Sequence, residues 1–304
     1  MPKLMKTKNH IVLSREDRVV NTIANIFVLF VLVFTLYPLW YCLVIAFNET
    51  TDSIIGGIYF WPRKFTVENF VHVIKTAGFV NAVVTSVART VVGTIFSVTS
   101  LMLAAYALSK KDLYFRNFYK ALLIFATYVG GGTIPYYLTL RNLHLLNTFW
   151  VYVLPAFGIG FFNLMLVQAF MREIPSALEE SAMIDGCGYF RSFIQIMIPL
   201  CMPVIATMAL FAAVGQWNDW FSTQYYTTGK HLMTLAAYLQ RLIAEATAKS
   251  LELSEKEGAV TKDMLATKYL RYAALIVTIM PIITVYPFAQ KYFVKGMLVG
   301  SVKA

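Results

Sequence analysis

Long apolar runs alternate along this chain with short charged ones. Residues 19–48, 121–140, 146–171, 193–218 and 272–290 carry no charge, and residues 81–109 carry only Arg89. A helix that crosses a bilayer needs about 20 mainly apolar residues. Six crossing helices are therefore expected, at about those six ranges, in an all-α integral membrane protein. An even number of crossings places both chain ends on one side.

Composition supports the pattern. Apolar residues make up 58% of the chain and charged ones 14%, against about 25% charged in soluble domains. Charge then sets direction, because Lys and Arg collect at the cytoplasmic ends of spanning helices. With the N-terminus inside, the inner segments hold Lys3, Lys6, Lys8, Arg15, Arg18, Lys110, Lys111, Arg116, Lys120, Arg172, Arg191, Lys291, Lys295 and Lys303, and the outer loop at 141–148 holds only Arg141. The net charge of +10 is accounted for by this anchoring more readily than by an acidic partner. The basic start lacks a small-residue cleavage pattern and reads as a retained first span.

This gives a cytoplasmic segment 1–18, a membrane domain 19–294 and a cytoplasmic tail 295–304. Residues 172–192 form a cytoplasmic loop, and 49–80 and 219–271 face outward. Within the last of these, Leu235, Leu239, Leu242 and Ala246 recur at helical spacing. That spacing predicts an external amphipathic helix lying on the membrane or on a partner.

The cytoplasmic loop is unusually well punctuated. Pro175 suits a first helical turn, and Glu179 and Glu180 follow early, where the helix dipole favours negative charge. Gly186 and Gly188 can reverse the chain. A second helix from Tyr189 then meets Pro199 and Pro203, which must kink or interrupt it. By shape alone this is a connecting hairpin.

Its spacing says more. Glu180-Ser181-Ala182, Asp185-Gly186 and Ile198-Pro199 resemble the EAA signature of the permease subunits of ABC importers, with Ser181 and Cys187 where that family commonly has alanine. The stretches GGTIPYYLTLRNLHLLNT (131–148), FMREIPSALEESAMIDG (170–186), GQWNDW (215–220) and QKYFVKGMLVGSVK (290–303) are similar to carbohydrate-type permeases. They are nearest the MalG-like branch and, within it, the LplC/YtcP-like group. The resemblance implies the type I ABC importer permease fold in a bacterial cytoplasmic membrane. It implies that Glu179, Glu180, Ser181, Ala182, Asp185 and Gly186 couple this chain to an ATPase. It also implies partners: a second, LplB-like permease, two ATPase subunits and an extracytoplasmic solute-binding protein, besides membrane lipid and with no nucleic acid. The cargo implied is a sugar or oligosaccharide, including acidic ones that contain uronic acids. The tail Lys291 to Ala304 resembles one that reaches the ATPase dimer interface; a basic tail held by anionic lipid fits it too.

No G-x-x-x-x-G-K-[ST] occurs in the chain, so ATP and Mg belong on separate subunits and no cofactor is expected here. Cys42, Cys187 and Cys201 form neither a disulfide framework nor a metal set. His10, His72, His144 and His231 fall in terminal or outer segments, which argues against a membrane-embedded enzyme. A secondary transporter would show paired broken helices in two repeats, and that pattern is not visible.

Candidates for the cargo path remain open in role. Trp217, Asn218, Asp219 and Trp220 combine aromatic faces with hydrogen-bonding groups, as sugar contact or as an interfacial aromatic belt. Arg89 either faces a cavity or partner or snorkels outward. Asn163 faces the path or bonds a neighbouring helix. Gly130-Gly131-Gly132 is either a hinge or a simple helix exit.

Overall fold

A computed structural model describes residues 15–255 and 262–299. The basic residues Lys3, Lys6 and Lys8, residues 256–261 of the 219–271 loop and residues 300–304 of the tail lie outside the described residues. The described chain is helical: α1 (Arg15–Ala46), α2 (Thr50–Ile55), α3 (Glu68–Lys75), α4 (Phe79–Ser109), α5 (Arg116–Tyr128), α6 (Thr133–Asn142) and α7 (Trp150–Val153). Then follow α8 (Phe161–Arg172), α9 (Ser176–Ile184), α10 (Tyr189–Ser192), α11 (Ile198–Leu200) and α12 (Met202–Asn218). The series ends with α13 (Phe221–Tyr226), α14 (Leu235–Glu255) and α15 (Lys262–Val299). A π-helical turn, Phe193–Met197, joins α10 to α11.

Among the described residues three helices are long and apolar enough to cross a membrane singly: α1, α4 and the Tyr269–Pro287 part of α15. They match the expected spans at 19–48, 81–109 and 272–290. The other three expected spans are not single helices. Arg116–Tyr128 and Thr133–Asn142 meet at 117°, Trp150–Phe157 and Phe161–Arg172 at 52°, and Tyr189–Leu200 and Met202–Asn218 at 82°. Six crossings result only if each bent pair counts as one.

The breaks have local causes. Between α5 and α6 the chain passes Gly130, Gly131 and Gly132, the last at φ +77°, where an L side chain would be strained. After α7, Pro155 opens a short 3-10 turn, and Gly158 to Gly160 leave it in extended backbone. Ahead of α12, Cys201 departs from helical angles, and Pro203 occupies the first turn of the new helix, which tolerates a residue without N–H.

α4 is the central element. Its C-terminal half packs Leu101, Met102 and Ala105 against Leu164, Val167 and Met171 of α8, and against Phe193, Met197, Cys201, Val204 and Met208. Its N-terminal half packs Phe79 and Ala82 against Trp217, Leu235, Tyr238, Ala273 and Ala274. In lipid, helices associate through close packing and polar contacts rather than escape from water. Alanines at the contacts allow that approach, and Ala82, Ala105, Ala273 and Ala274 are all buried. By contrast, residues 16–40 of α1 are exposed throughout.

The amphipathic helix expected in the 219–271 loop exists as α14, and its apolar stripe packs within the chain. Leu235, Tyr238, Leu239 and Leu242 pack on α4 and α15 of the same chain. The 49–80 loop is likewise built around polar closure. Asn69 donates from Nδ2 to the carbonyls of Ala46 (2.9 Å) and Asn48 (2.8 Å), satisfying carbonyls left open where α1 ends. Asn48 donates to Asp52 at 3.0 Å, and Arg63 Nε donates to the same carboxylate at 3.0 Å.

Candidate functional site

Two polar clusters stand out, one at each end of α4. The one at its C-terminal end includes the helical hairpin α9–α10. α9 begins directly after Pro175 and ends at Gly186, which adopts φ +81°. Gly186 N–H donates to the Met183 carbonyl (3.0 Å) and Cys187 N–H to the Ala182 carbonyl (2.9 Å). This pair of bonds is the Schellman closure, and it requires a left-handed residue at the glycine position. Gly186 therefore sets the reversal.

The neighbouring acids of α9 point to different places. Glu179 turns inward, where Lys110, the Tyr106 hydroxyl and the Ser192 hydroxyl (3.3 Å) all direct hydrogens at its Oε1. Tyr106 also lies 3.1 Å from the Tyr189 carbonyl, and Tyr189 donates to Asp112 at 3.2 Å. The Lys110 ammonium sits 4.1 Å from the centre of the Tyr106 ring. Burial pushes the Glu179 carboxyl up, but the hydrogen bonds from Lys110 and Tyr106 outweigh it and hold its pKa below the usual carboxylate value. Glu180, Ser181, Asp185 and Gly186 are exposed, and Ala182 is half-buried. The surface of the hairpin is apolar as well as acidic, with Ile184 86% and Phe190 70% exposed. A recess of about 400 Å3 beside it is lined by Tyr106, Lys110, Asp112, Tyr189, Phe190 and Phe193.

The cluster toward the N-terminal end of α4 brings together two of the predicted path residues, Arg89 and Asp219. Arg89 is buried, with its guanidinium turned onto groups of its own chain. Its Nε donates to Gln216 Oε1 (2.9 Å), Nη1 to the Asp219 carbonyl (2.8 Å) and Nη2 to the Asp219 carboxylate. Its guanidinium carbon lies 4.4 Å from the centre of the Tyr152 ring. Ser222 completes the ring of bonds, its Oγ donating to Asp219 Oδ2 at 2.5 Å and its N–H to Oδ1 at 3.1 Å. Gly93 makes room for this contact, since a Cβ there would lie 2.8 Å from Cδ of Gln216.

The other path candidates disperse. Trp217 is buried between α12 and α15 and donates its indole N–H to the Thr278 carbonyl at 3.0 Å. Asn218 is exposed at the end of α12, and Trp220 is exposed with its ring edge against Phe221. Asn163 is half-buried in the first turn of α8, outside the Arg89 network. Sequence reasoning missed Gln216, Tyr152, Ser222, Tyr106 and Ser192, and treated Lys110 only as an orienting charge. Tyr106 and Lys110 are four residues apart at the end of one helix, a spacing that puts both on one face. That pair was a legible signal; the partners across the fold were not.

The family model described as "Binding-protein-dependent transport system inner membrane component" matches residues 14–299. The chain belongs to that family. This inner-membrane component is 35% identical over 269 residues to protein LplC of Bacillus subtilis (strain 168), covering 88% of this chain and 90% of LplC. It is 31% identical over 288 residues to the polygalacturonan/rhamnogalacturonan transport system permease protein YtcP of the same strain, covering 95% and 99%. Its fold is similar to a chain of a bacterial ABC transporter involved in the import of the acidic polysaccharide alginate. There the TM-score is 0.81 at 25% identity, with 92% of this chain and 98% of that chain covered.

Proposed function

We propose that this inner-membrane component is the permease subunit of an importer for oligosaccharides, including uronic-acid-containing ones, driven by ATP hydrolysis on separate chains. The observation that carries the reading is the α9–α10 knob. Glu180 and Asp185 stand exposed among exposed Ile184 and Phe190, on a hairpin fixed from behind by Glu179. An acidic, apolar tip on a rigid base is shaped to seat in a cleft of another protein and to receive force from it. The substrate class follows from the relatives, two of which handle acidic polysaccharides by name.

Both ends of the chain face the cytoplasm in this reading, following the positive-inside rule. A second, homologous permease completes the path, two ATPases grip the knobs, and a solute-binding protein delivers cargo from outside. Arg89 is already neutralised by Asp219, so selection for acidic cargo rests with the binding protein. Asn163, Asn218 and Trp220 are retained as path residues, whereas Trp217 acts by seating α12 on α15.

The test uses the whole transporter in proteoliposomes with galacturonate oligosaccharides as the offered cargo. Glu180→Arg is expected to abolish ATP-dependent uptake while the subunits still co-purify. Normal uptake by that variant would sink the assignment of the knob.

A further inference from the structure

The two polar clusters are grips on one rod. At a rise of about 1.5 Å per residue, Arg89 and Lys110 lie about 30 Å apart along α4, the thickness of a hydrocarbon core. Between them the helix has no proline and its one glycine is Gly93, so nothing in the backbone favours a bend. The covalent route from α9 to the outer end of α12 is different. It passes the π-helical turn Phe193–Met197 and the 82° break at Cys201. Movement of α9 sent along the chain meets two compliant points; movement sent through Glu179 into α4 meets none.

The grip at the lower end is tight enough to transmit. Glu179 and Lys110 side chains are 17% and 19% exposed, so water screens their attraction far less than it does a surface pair. Hydroxyls of Tyr106 and Ser192 fix the same oxygen from two elements. At the upper end, Arg89 uses all three guanidinium nitrogens on Gln216 and Asp219, which belong to the outer end of α12 and its cap.

The geometry points to the Glu179–Lys110 pair as a latch that makes α4 a transmission rod. Displacement of the coupling hairpin is carried by α4 to Arg89 and from there to the Asp219 cap at the outer end of α12. Glu180 receives the force from the ATPase and Glu179 passes it on. Lys110, Tyr106 and Arg89 are positioning residues for transport. The inference rests on the reading of α9 as the ATPase-coupling helix.

The test reads the outer end directly and needs no identified cargo. In the assembled transporter, with Cys42, Cys187 and Cys201 replaced by alanine and Trp220→Cys as reporter, a membrane-impermeant maleimide is applied before and after nucleotide trapping with ATP and vanadate. The parent is expected to change its labelling rate on trapping. Lys110→Glu is expected to trap nucleotide as the parent does but to shrink that change at least about fivefold, the scale of a modest coupling energy. Lys110→Glu combined with Glu179→Lys is expected to restore it; Lys110→Gln gives the same reading if charge reversal prevents assembly. A merely structural role would lower trapping and response together. A full response in Lys110→Glu or Lys110→Gln, or no restoration in the double variant, overturns the latch alone. No response in the parent overturns the coupling role of α9, and the latch with it.

Discussion

α4 and the segment from Tyr189 to Asn218 share the same core but are built in opposite ways. α4 runs unbroken for 31 residues although it holds a buried arginine. The later segment is uncharged from 193 to 218 yet turns through 82° and contains a π-helical turn. Apolar content therefore does not decide whether a membrane helix is continuous. In the later segment the break falls where Pro199 and Pro203 withdraw two N–H groups from one short region, whereas α4 has no proline and completes the hydrogen-bonding needs of its one charge through neighbours. One element is stiff, the other articulated, and they are joined where Arg89 meets Asp219.

Breaking that joint should have the largest effect. Asp219→Leu leaves a buried guanidinium without its counter-charge, which costs about 3–5 kcal/mol. Denaturant unfolding of the purified protein in lipid should register it, and Arg89→Met added to Asp219→Leu should recover most of the loss. Unchanged stability in the single variant would show that the two elements are not joined electrostatically. Next comes the seat of the articulated segment on α15. Trp217→Phe removes the hydrogen bond to the Thr278 carbonyl at a cost of about 1 kcal/mol, without altering the response of the outer end to nucleotide. A lost response would return Trp217 to the cargo path.

Gly186→Ala tests the turn that begins the articulated segment. No atom crowds a Cβ there, so the expected cost, about 1 kcal/mol, comes from the left-handed backbone alone. Gly188→Ala, with extended backbone, should be near neutral by the same measurement. The smallest effect is with pH. The Glu179 pKa is held down in the folded chain, so its contribution is present above the ordinary carboxylate value of about 4.3 and is lost as pH falls through the lower folded value. Stability should show no change from this group between pH 5 and 8 and an acid limb below about 4.5, absent in Glu179→Gln. An acid limb of equal size in that variant would mean that other carboxylates dominate.

Much of this was legible in the residues, for identifiable reasons. The turn at Gly186 and the hairpin around it follow from local chemistry, which a linear reading captures. The spans α1 and α4 were readable as apolar runs of sufficient length, but their continuity was not, since the equally apolar run 193–218 is broken. The division of labour between Glu179 and Glu180 was not legible, because it depends on Lys110, Tyr106 and Ser192 arriving from elsewhere in the fold. Arg89 stood equally between cavity and interface until Gln216 and Asp219 were placed beside it. The helix at 235–255 was readable, but its support was not: an apolar stripe fits lipid, a partner or the chain's own α4 and α15 equally well.

The exposure of α1 has a consequence for how this protein must be made. A helix exposed along residues 16–40, touched within the chain only near its end, where Tyr37 and Trp40 meet Phe60 and Trp61, has to satisfy the bilayer largely on its own at the moment of insertion. Every side chain there is tested against lipid, and the stretch from 19 to 48 is accordingly free of charge. α4 enters later and can shelter Arg89 only once Asp219 has been synthesised, some 130 positions downstream. Until then that arginine is a debt carried in the membrane. Tolerance for charge in this chain thus follows the order of synthesis, and the first helix is the one that has no lender.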